Sequence, residues 1–179
     1  MTLFQSSIVT GIFLSIFGIL IAKSSGQARS FLLGFPRSKK CSLCFVGIAT
    51  CWFLWRHVAF LSEADFGNYK LLIGGTALGT AILSFIFVPD FLAVRGLAML
   101  ILLWSREVLD SAFLQDPASR LVLVTIIYIL VVASLYFGAW PYQMRNLLEW
   151  LNQRSTRFNI IGTIFCISGF LIIALSFTY

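Results

Sequence analysis

The sequence predicts an all-α, polytopic membrane protein: one bundle of six transmembrane helices, with a short amphipathic helix in the membrane interface before the last span. Of the 179 residues, 59% are hydrophobic and only 11% are charged, whereas soluble domains carry about a quarter charged residues. The apolar residues also fall into six runs of near-membrane length. Because an open strand cannot satisfy its backbone hydrogen bonds in lipid, each run is expected to be a helix. Residues 1–179 should therefore form one integral membrane domain.

The predicted spans, in chain order, are 3–22, 41–61, 71–88, 91–113, 118–140 and 158–177. No Lys or Arg precedes the first apolar run, so this run is expected to be a retained span and not a cleaved secretory signal. Pro89 ends the third run, and Pro141 ends the fifth. The fifth run has a suitable N-cap in Asp116, and Pro117 favours the first helical position.

The fourth span is the least obvious, because Arg95 and Arg106 interrupt its apolar run. The ten residues between them reach about 15 Å, half of the roughly 30 Å hydrocarbon core. Both arginines would therefore lie near the ends of one span. They are three helical turns apart and share a stripe with Asp110. A stripe that carries charges at both ends is expected to face the bundle or a polar crevice.

The charges of alternate loops support six spans and give their orientation. One side would collect nine cations and two acids, namely Lys23, Arg29, Arg37, Lys39, Lys40, Arg95, Arg145, Arg154 and Arg157 with Asp90 and Glu149. The other side would collect four cations and five acids. By the positive-inside rule the first side is cytoplasmic. Both termini are then extracytoplasmic, and the expected location is the bacterial inner (plasma) membrane. Because the cations lie in short loops between spans, a nucleic-acid partner is not expected.

The segment between the fifth and sixth spans predicts a short interfacial helix at about 142–153. Its apolar residues fall at i, i+3, i+4 and i+7, which places them on one face: Met144, Leu147, Leu148 and Leu151. Trp150 and the arginines near it suit a helix that lies along a membrane surface. The alternative is an ordinary frayed loop.

The richest polar cluster is expected where the second and fourth spans end on the outer side: Arg56, His57, Arg106, Glu107 and Asp110. One hypothesis is an outward-facing polar pocket in which His57, the single histidine, carries a proton or contacts a ligand. The alternative is a structural salt-bridge knot that holds two helices together, because ion pairs are common near the ends of spans.

Two further ionic expectations concern the arginines of the fourth span. Glu63 and Asp65, in the adjacent outer loop, are additional candidate partners for Arg106. At the inner end, Arg95 is expected to turn toward the interfacial helix and pair with Glu149.

The stretch "CSLC" places Cys41 and Cys44 at the start of the second span. A helix N-terminus and the neighbouring Lys39 and Lys40 would stabilise a thiolate, so a thiol-redox pair is one hypothesis. Buried, unreactive cysteines are the alternative, because the charge distribution places this segment on the reducing cytoplasmic side.

The third span contains a G-x-x-x-G pattern at Gly75 and Gly79. Small residues at this spacing let helix backbones approach closely. This helix is therefore expected to be central in the bundle or to lie at an oligomer interface.

No metal or cofactor is expected. A single histidine cannot provide bis-histidine haem ligation, and the chain has no phosphate-binding loop, nucleophile elbow or His-Glu-x-x-His motif. The leading hypothesis is a non-enzymatic structural or accessory subunit, with the bilayer and other membrane subunits or further copies of the chain as partners. A small transporter or a protein that binds lipid headgroups or anions through the outer cluster is the alternative, and a thiol-redox protein is the second alternative.

Overall fold

The computed structural model describes residues 2–23, 26–62 and 66–178, and across these ranges the chain is 86% helical with no strand. The α-helices in chain order are α1 Leu3–Ala22, α2 Gly26–Gly34, α3 Lys39–Phe53, α4 Lys70–Phe87, α5 Leu92–Ala112, α6 Arg120–Ala139, α7 Pro141–Asn152 and α8 Ser155–Ser176. A π-helical turn, Leu54–Val58, continues α3, and short 3-10 turns cover Phe35–Arg37 and Gly67–Tyr69.

Five helical segments in the described ranges are long and apolar enough to cross a membrane: Leu3–Ala22, Lys39–Val58, Gly67–Phe87, Arg120–Ala139 and Ser155–Ser176. They correspond to five of the six predicted spans. The all-helical class is confirmed, with five candidate membrane-spanning helices. The remaining predicted span is α5, a helix of 21 residues that carries four charged residues and is not among these five.

The most extensive helix pair joins α1 and α8, which meet through glycines. A Cβ added at Gly18 would lie 2.6 Å from the carbonyl oxygen of Gly162, and one added at Gly162 would lie 2.6 Å from the carbonyl oxygen of Gly18. About two turns further along both helices, Gly11 and Gly169 make a similarly close contact. The seven-residue spacing of glycine on each helix thus builds one continuous backbone-to-backbone contact.

Helix α5 lies in the middle of the bundle, between α3 and α6, and it also touches α1. Gly96 brings it close to α3, because a Cβ added there would lie 3.0 Å from the Cβ of Phe45 and the amide nitrogen of Val46. On its other side, Val108 is fully buried against Leu123 and Ile127 of α6. The helix with the most charges among the long helices is therefore the one most enclosed by protein.

One end of the bundle gathers the loops that carry most of the basic residues, and we call it the basic end. Arg29 on α2 donates from Nη2 to Ser155 Oγ at the start of α8 (2.7 Å). The Arg37 guanidinium lies 5.5 Å from the centre of the Phe91 ring, just before α5. Helices α2 and α7 both lie at this end. Hydrophobic patterning did not indicate α2, which is short and only partly apolar.

The opposite end gathers the other set of loops. Ser119, before α6, and Thr178, after α8, join their hydroxyl groups at 2.9 Å. The rings of Phe4 and Phe177 also meet there, with centres 6.0 Å apart.

The expectation that the third span is central is wrong within this chain. No residue of α4 is buried, and its main contacts with the bundle are with α3 and the π-helical turn. A Cβ added at Gly75 or Gly79 would meet nothing within 4 Å, whereas one added at Gly74 would lie 3.6 Å from Leu54. The G-x-x-x-G face points away from the other helices because the contact with α3 uses the opposite side of α4.

Candidate functional site

The candidate site is built on a local irregularity at the end of α3. Across Leu54–Val58 the helix is π-helical, and the amide of Ala59 donates to the carbonyl oxygen of Leu54, five residues back, at 2.9 Å. Such turns are rare and are frequent at functional sites. This one carries Arg56 and His57, which face the last turns of α5.

Arg56 forms the strongest ion pair of the site. Its Nε donates to Glu107 Oε1 at 2.9 Å, and its Nη2 donates to Glu107 Oε2 at 3.1 Å. The Glu107 side chain is only 12% exposed. A two-point guanidinium–carboxylate pair is both strong and directional, so this contact fixes the end of α3 against α5.

Arg106 contacts the histidine. Its Nη1 lies 3.0 Å from His57 Nδ1. Because a guanidinium can only donate hydrogen bonds, Nδ1 is the acceptor and the ring proton of a neutral His57 sits on Nε2. That Nε2 is buried and has no hydrogen-bond partner in the described part of the chain.

Arg106 is also loosely paired with Asp110, one turn further along α5. Its Nε lies 3.9 Å from Asp110 Oδ2, and the two side chains are 62% and 73% exposed. An exposed pair at this distance contributes little to stability. The Arg106 guanidinium therefore keeps donors that are free for another group.

All five residues of the predicted outer cluster line one pocket of about 470 Å³, together with Phe60 and Leu61. The arrangement is an open pocket with a fixed ion pair on one wall and a loosely held guanidinium on the other. Glu63 and Asp65, proposed as further partners for Arg106, lie outside the described residues.

The structure does not bring Arg95 and Glu149 together as an ion pair. Glu149 lies one turn along α7 from Arg145, whose Nε is 3.4 Å from Glu149 Oε1. This separation allows charge attraction, although the groups are not aligned as a hydrogen bond. The local i,i+4 neighbour occupies the carboxylate, and the predicted pairing with Arg95 is wrong.

Arg95 instead lines a groove of about 330 Å³ between α5 and α6, at the basic end. This groove shares no lining residue with the pocket around Arg106. It also contains Ser134, which sequence reasoning did not single out, because a serine inside an apolar helix is usually satisfied by its own backbone.

The two candidate thiols sit on the first turns of α3, which Ser38 caps by accepting from the amide of Cys41 at 3.3 Å. The Cys41 side chain packs beside Phe35, Ala93 and Val94, whereas Cys44 is exposed, and both cysteines are free. The pair thus spans the boundary between the protein interior and its surface.

Within the described ranges, no group of three or more His, Cys, Asp or Glu residues is placed to hold a metal ion. No protein-family model matches the chain, and comparisons with curated proteins and with solved structures also find no match.

Proposed function

We propose that this chain is a six-span integral protein of a bacterial inner membrane, with α5 as the sixth span and with the basic end in the cytoplasm. At 21 residues, α5 is about 31 Å long, enough for a hydrocarbon core of about 30 Å. The grouping of alternate loops at two ends of the bundle supports this threading. The excess of cations at one end supports the orientation, with both termini extracytoplasmic.

The proposal includes α7 as a helix lying across the cytoplasmic surface. Its Leu148 and Leu151 are buried against the bundle, whereas Trp150 is exposed. The Arg157 guanidinium lies 4.0 Å from the centre of the Trp150 ring. Paired aromatic and basic groups on one side of an amphipathic helix suit the headgroup layer.

Single-cysteine labelling in a cysteine-free background tests the threading. A membrane-impermeant maleimide added to intact cells should modify Asp116→Cys and Phe177→Cys. It should modify Lys40→Cys and Asp90→Cys only after permeabilisation. Labelling of Asp90→Cys and Asp116→Cys from the same side would show that α5 does not span, and labelling of Lys40→Cys from outside would reverse the orientation.

We infer that the chain serves as a non-enzymatic structural or accessory subunit, and the isolation of α4 is the observation that carries this inference. Elsewhere, at α1 and α8, the chain uses spaced glycines to bring two helix backbones together. On α4 the same kind of residue, Gly75 and Gly79, faces away from the chain. Between helices in lipid, small residues promote association by close packing. A helix of a partner membrane protein fits this face.

Photocrosslinking from α4 tests this role. A benzophenone amino acid at Ile82, which lies on the glycine face, should crosslink in native membranes to one defined membrane protein. The same group at the exposed Thr80, which is turned by about 160° from Ile82 around the helix, should not, and Gly79→Leu should abolish the product from Ile82. A product of twice the chain mass would indicate a homo-oligomer instead, and the absence of any product would place this face against lipid.

The pocket around Arg106 favours a second candidate function, the binding of an anion or a lipid headgroup. Arg56 is held in a two-point pair with Glu107, but Arg106 is exposed and weakly paired. Thermal unfolding in detergent with added inorganic phosphate or short-chain phosphatidylglycerol tests it. Arg106→Gln should weaken the stabilisation by either compound, and Lys70→Gln, at the same end of the bundle, should not.

A further inference from the structure

The groove between α5 and α6 at the basic end has walls that are apolar apart from two polar side chains. Ala98 and Gly138 keep it shallow where the helices meet, since a Cβ added at Gly138 would lie 3.5 Å from Ala98 Cβ. Leu102 and Leu135 line its deeper part. The two polar groups are Arg95 and Ser134, and neither is explained by the fold.

Arg95 has no hydrogen-bond or ion-pair partner among residues 2–23, 26–62 and 66–178. Its expected partner, Glu149, is occupied by Arg145. A guanidinium carries five N–H donors. At the end of a span it needs an acceptor from protein, water or a headgroup. The described chain provides none, so the acceptor must come from outside the described residues.

Ser134 is 4% exposed, and its Oγ is buried without a partner in the described chain. Serines inside helices commonly donate to a backbone carbonyl one turn back. Ser105 does so here, with its Oγ 2.7 Å from the carbonyl oxygen of Ile101. A buried hydroxyl that forgoes this bond is costly. Ser134, which lines the groove, therefore has an unused donor in the described chain.

The two groups stand at different depths. Arg95 lies in the first turn of α5, at the basic end. Helix α6 runs toward that end, so Ser134 lies about 6 Å deeper than Gly138 along the helix. From the surface inward, the groove therefore offers a cation and then, at about one depth, a hydroxyl donor and the side chains of Leu102 and Leu135.

We propose that this groove holds one anionic glycerophospholipid. The phosphodiester accepts from the Arg95 guanidinium, the ester carbonyl below it accepts from Ser134 Oγ, and an acyl chain lies against Leu102 and Leu135. A free inorganic anion would satisfy Arg95 but would leave both the hydroxyl and the apolar wall unused. The site requires that the chain be embedded in a bilayer, but it does not depend on a partner protein at α4.

Native mass spectrometry of the purified chain tests the proposal, with dioleoyl phosphatidylglycerol and dioleoyl phosphatidylcholine as probes of identical acyl chains. The wild-type chain should retain one phosphatidylglycerol in preference to phosphatidylcholine. Arg95→Gln should weaken retention about tenfold or more, as expected when a charge-assisted hydrogen bond is lost. Ser134→Ala should weaken it by about threefold to tenfold.

Arg154→Gln is the matched control, because Arg154 is an exposed cation at the same end but outside the groove. It should retain the lipid as the wild type does. Ser134→Ala removes a single oxygen atom, so it remains informative if Arg95→Gln fails to fold. Equal retention of the two lipids, wild-type retention by both groove variants, or displacement of the lipid by inorganic phosphate alone would each overturn the proposal.

Discussion

Substitution of Gly162 by alanine tests how tightly α1 and α8 are packed. The added Cβ would lie 2.6 Å from the amide nitrogen of Ala22 and from the carbonyl oxygen of Gly18, and 2.7 Å from the Cβ of Ala22. Ordinary contacts of a Cβ are 3.4–4 Å. The neighbours are mostly backbone atoms, which cannot rotate away. The two helices must therefore separate locally by roughly 1 Å, a gap that forfeits a quarter to a half of each dispersion contact.

Overpacking of this kind typically costs about 1–3 kcal/mol. The higher helix propensity of alanine offsets up to about 1 kcal/mol of that cost. We therefore expect Gly162→Ala to lower the free energy of unfolding by about 1–2 kcal/mol. The expected loss of stability follows from the close contact alone, since helix propensity by itself would make the alanine variant more stable than the wild type.

Unfolding by SDS titration in a mild detergent, followed by circular dichroism, measures this difference. Gly47→Ala on α3 is the matched control, because a Cβ added at Gly47 would meet nothing within 4 Å. The control should unfold at the same or a slightly higher SDS fraction than the wild type. If Gly162→Ala is as stable as Gly47→Ala, then the α1–α8 contact is looser than the structure shows and the reasoning fails.

Two contacts at the opposite end give further predictions, both measurable by the same unfolding assay. Glu107→Gln should destabilise the chain more than Asp110→Asn, because the largely enclosed Glu107 carboxylate makes a two-point pair with Arg56, whereas the partner of Asp110 is distant and exposed. Equal losses would contradict this ranking. Trp104→Phe should lower the free energy of unfolding by about 1 kcal/mol, since the indole donates to Thr10 Oγ1 at 3.2 Å. The double variant with Thr10→Val should then be little less stable than either single variant, and additive losses would contradict the presence of this bond.

Apolar patterning predicted the long helices well. The fourth predicted span, 91–113, is the helix Leu92–Ala112, although its charges obscure it as a membrane segment. In lipid the backbone has no alternative donor or acceptor, so the length of an apolar run and its flanking prolines largely decide where a helix lies. The short helix α2 was missed because its own pattern is only partly apolar, although in the structure it packs against α7 and the 3-10 turn Phe35–Arg37.

Partner choice between helices was much harder to predict. Three spans carry glycine pairs at a spacing of four or seven residues, and the G-x-x-x-G at Gly75 and Gly79 is the most conspicuous of these patterns. The close contact in this chain instead uses Gly18 and Gly162 with their seven-residue repeats. A stripe of small residues indicates that a helix can be approached closely, but it does not indicate which helix will do so.

Charge pairing was predictable only in part. The threading places the ends of α3 and α5 on one side, so the Arg56–Glu107 neighbourhood follows from topology. The π-helical turn that aims Arg56 and His57 at α5 has no evident pattern in the sequence. The pairing of Arg95 with Glu149 was wrong because a neighbour one turn away on the same helix competes without any tertiary contact.

The charge of the arginines is therefore balanced in different ways at the two ends of the bundle. At the opposite end, the arginines of α3 and α5 meet carboxylates and a histidine of the chain itself. The basic end has nine cations and only two acids, so its arginines cannot be neutralised by the protein. Three of its guanidinium groups lie over aromatic rings instead, those of Arg29, Arg37 and Arg157. Contact with the face of a ring stabilises a cation but does not cancel its charge. The remaining charge must be balanced from outside, and in the proposed orientation an anionic membrane surface at this end would provide that balance.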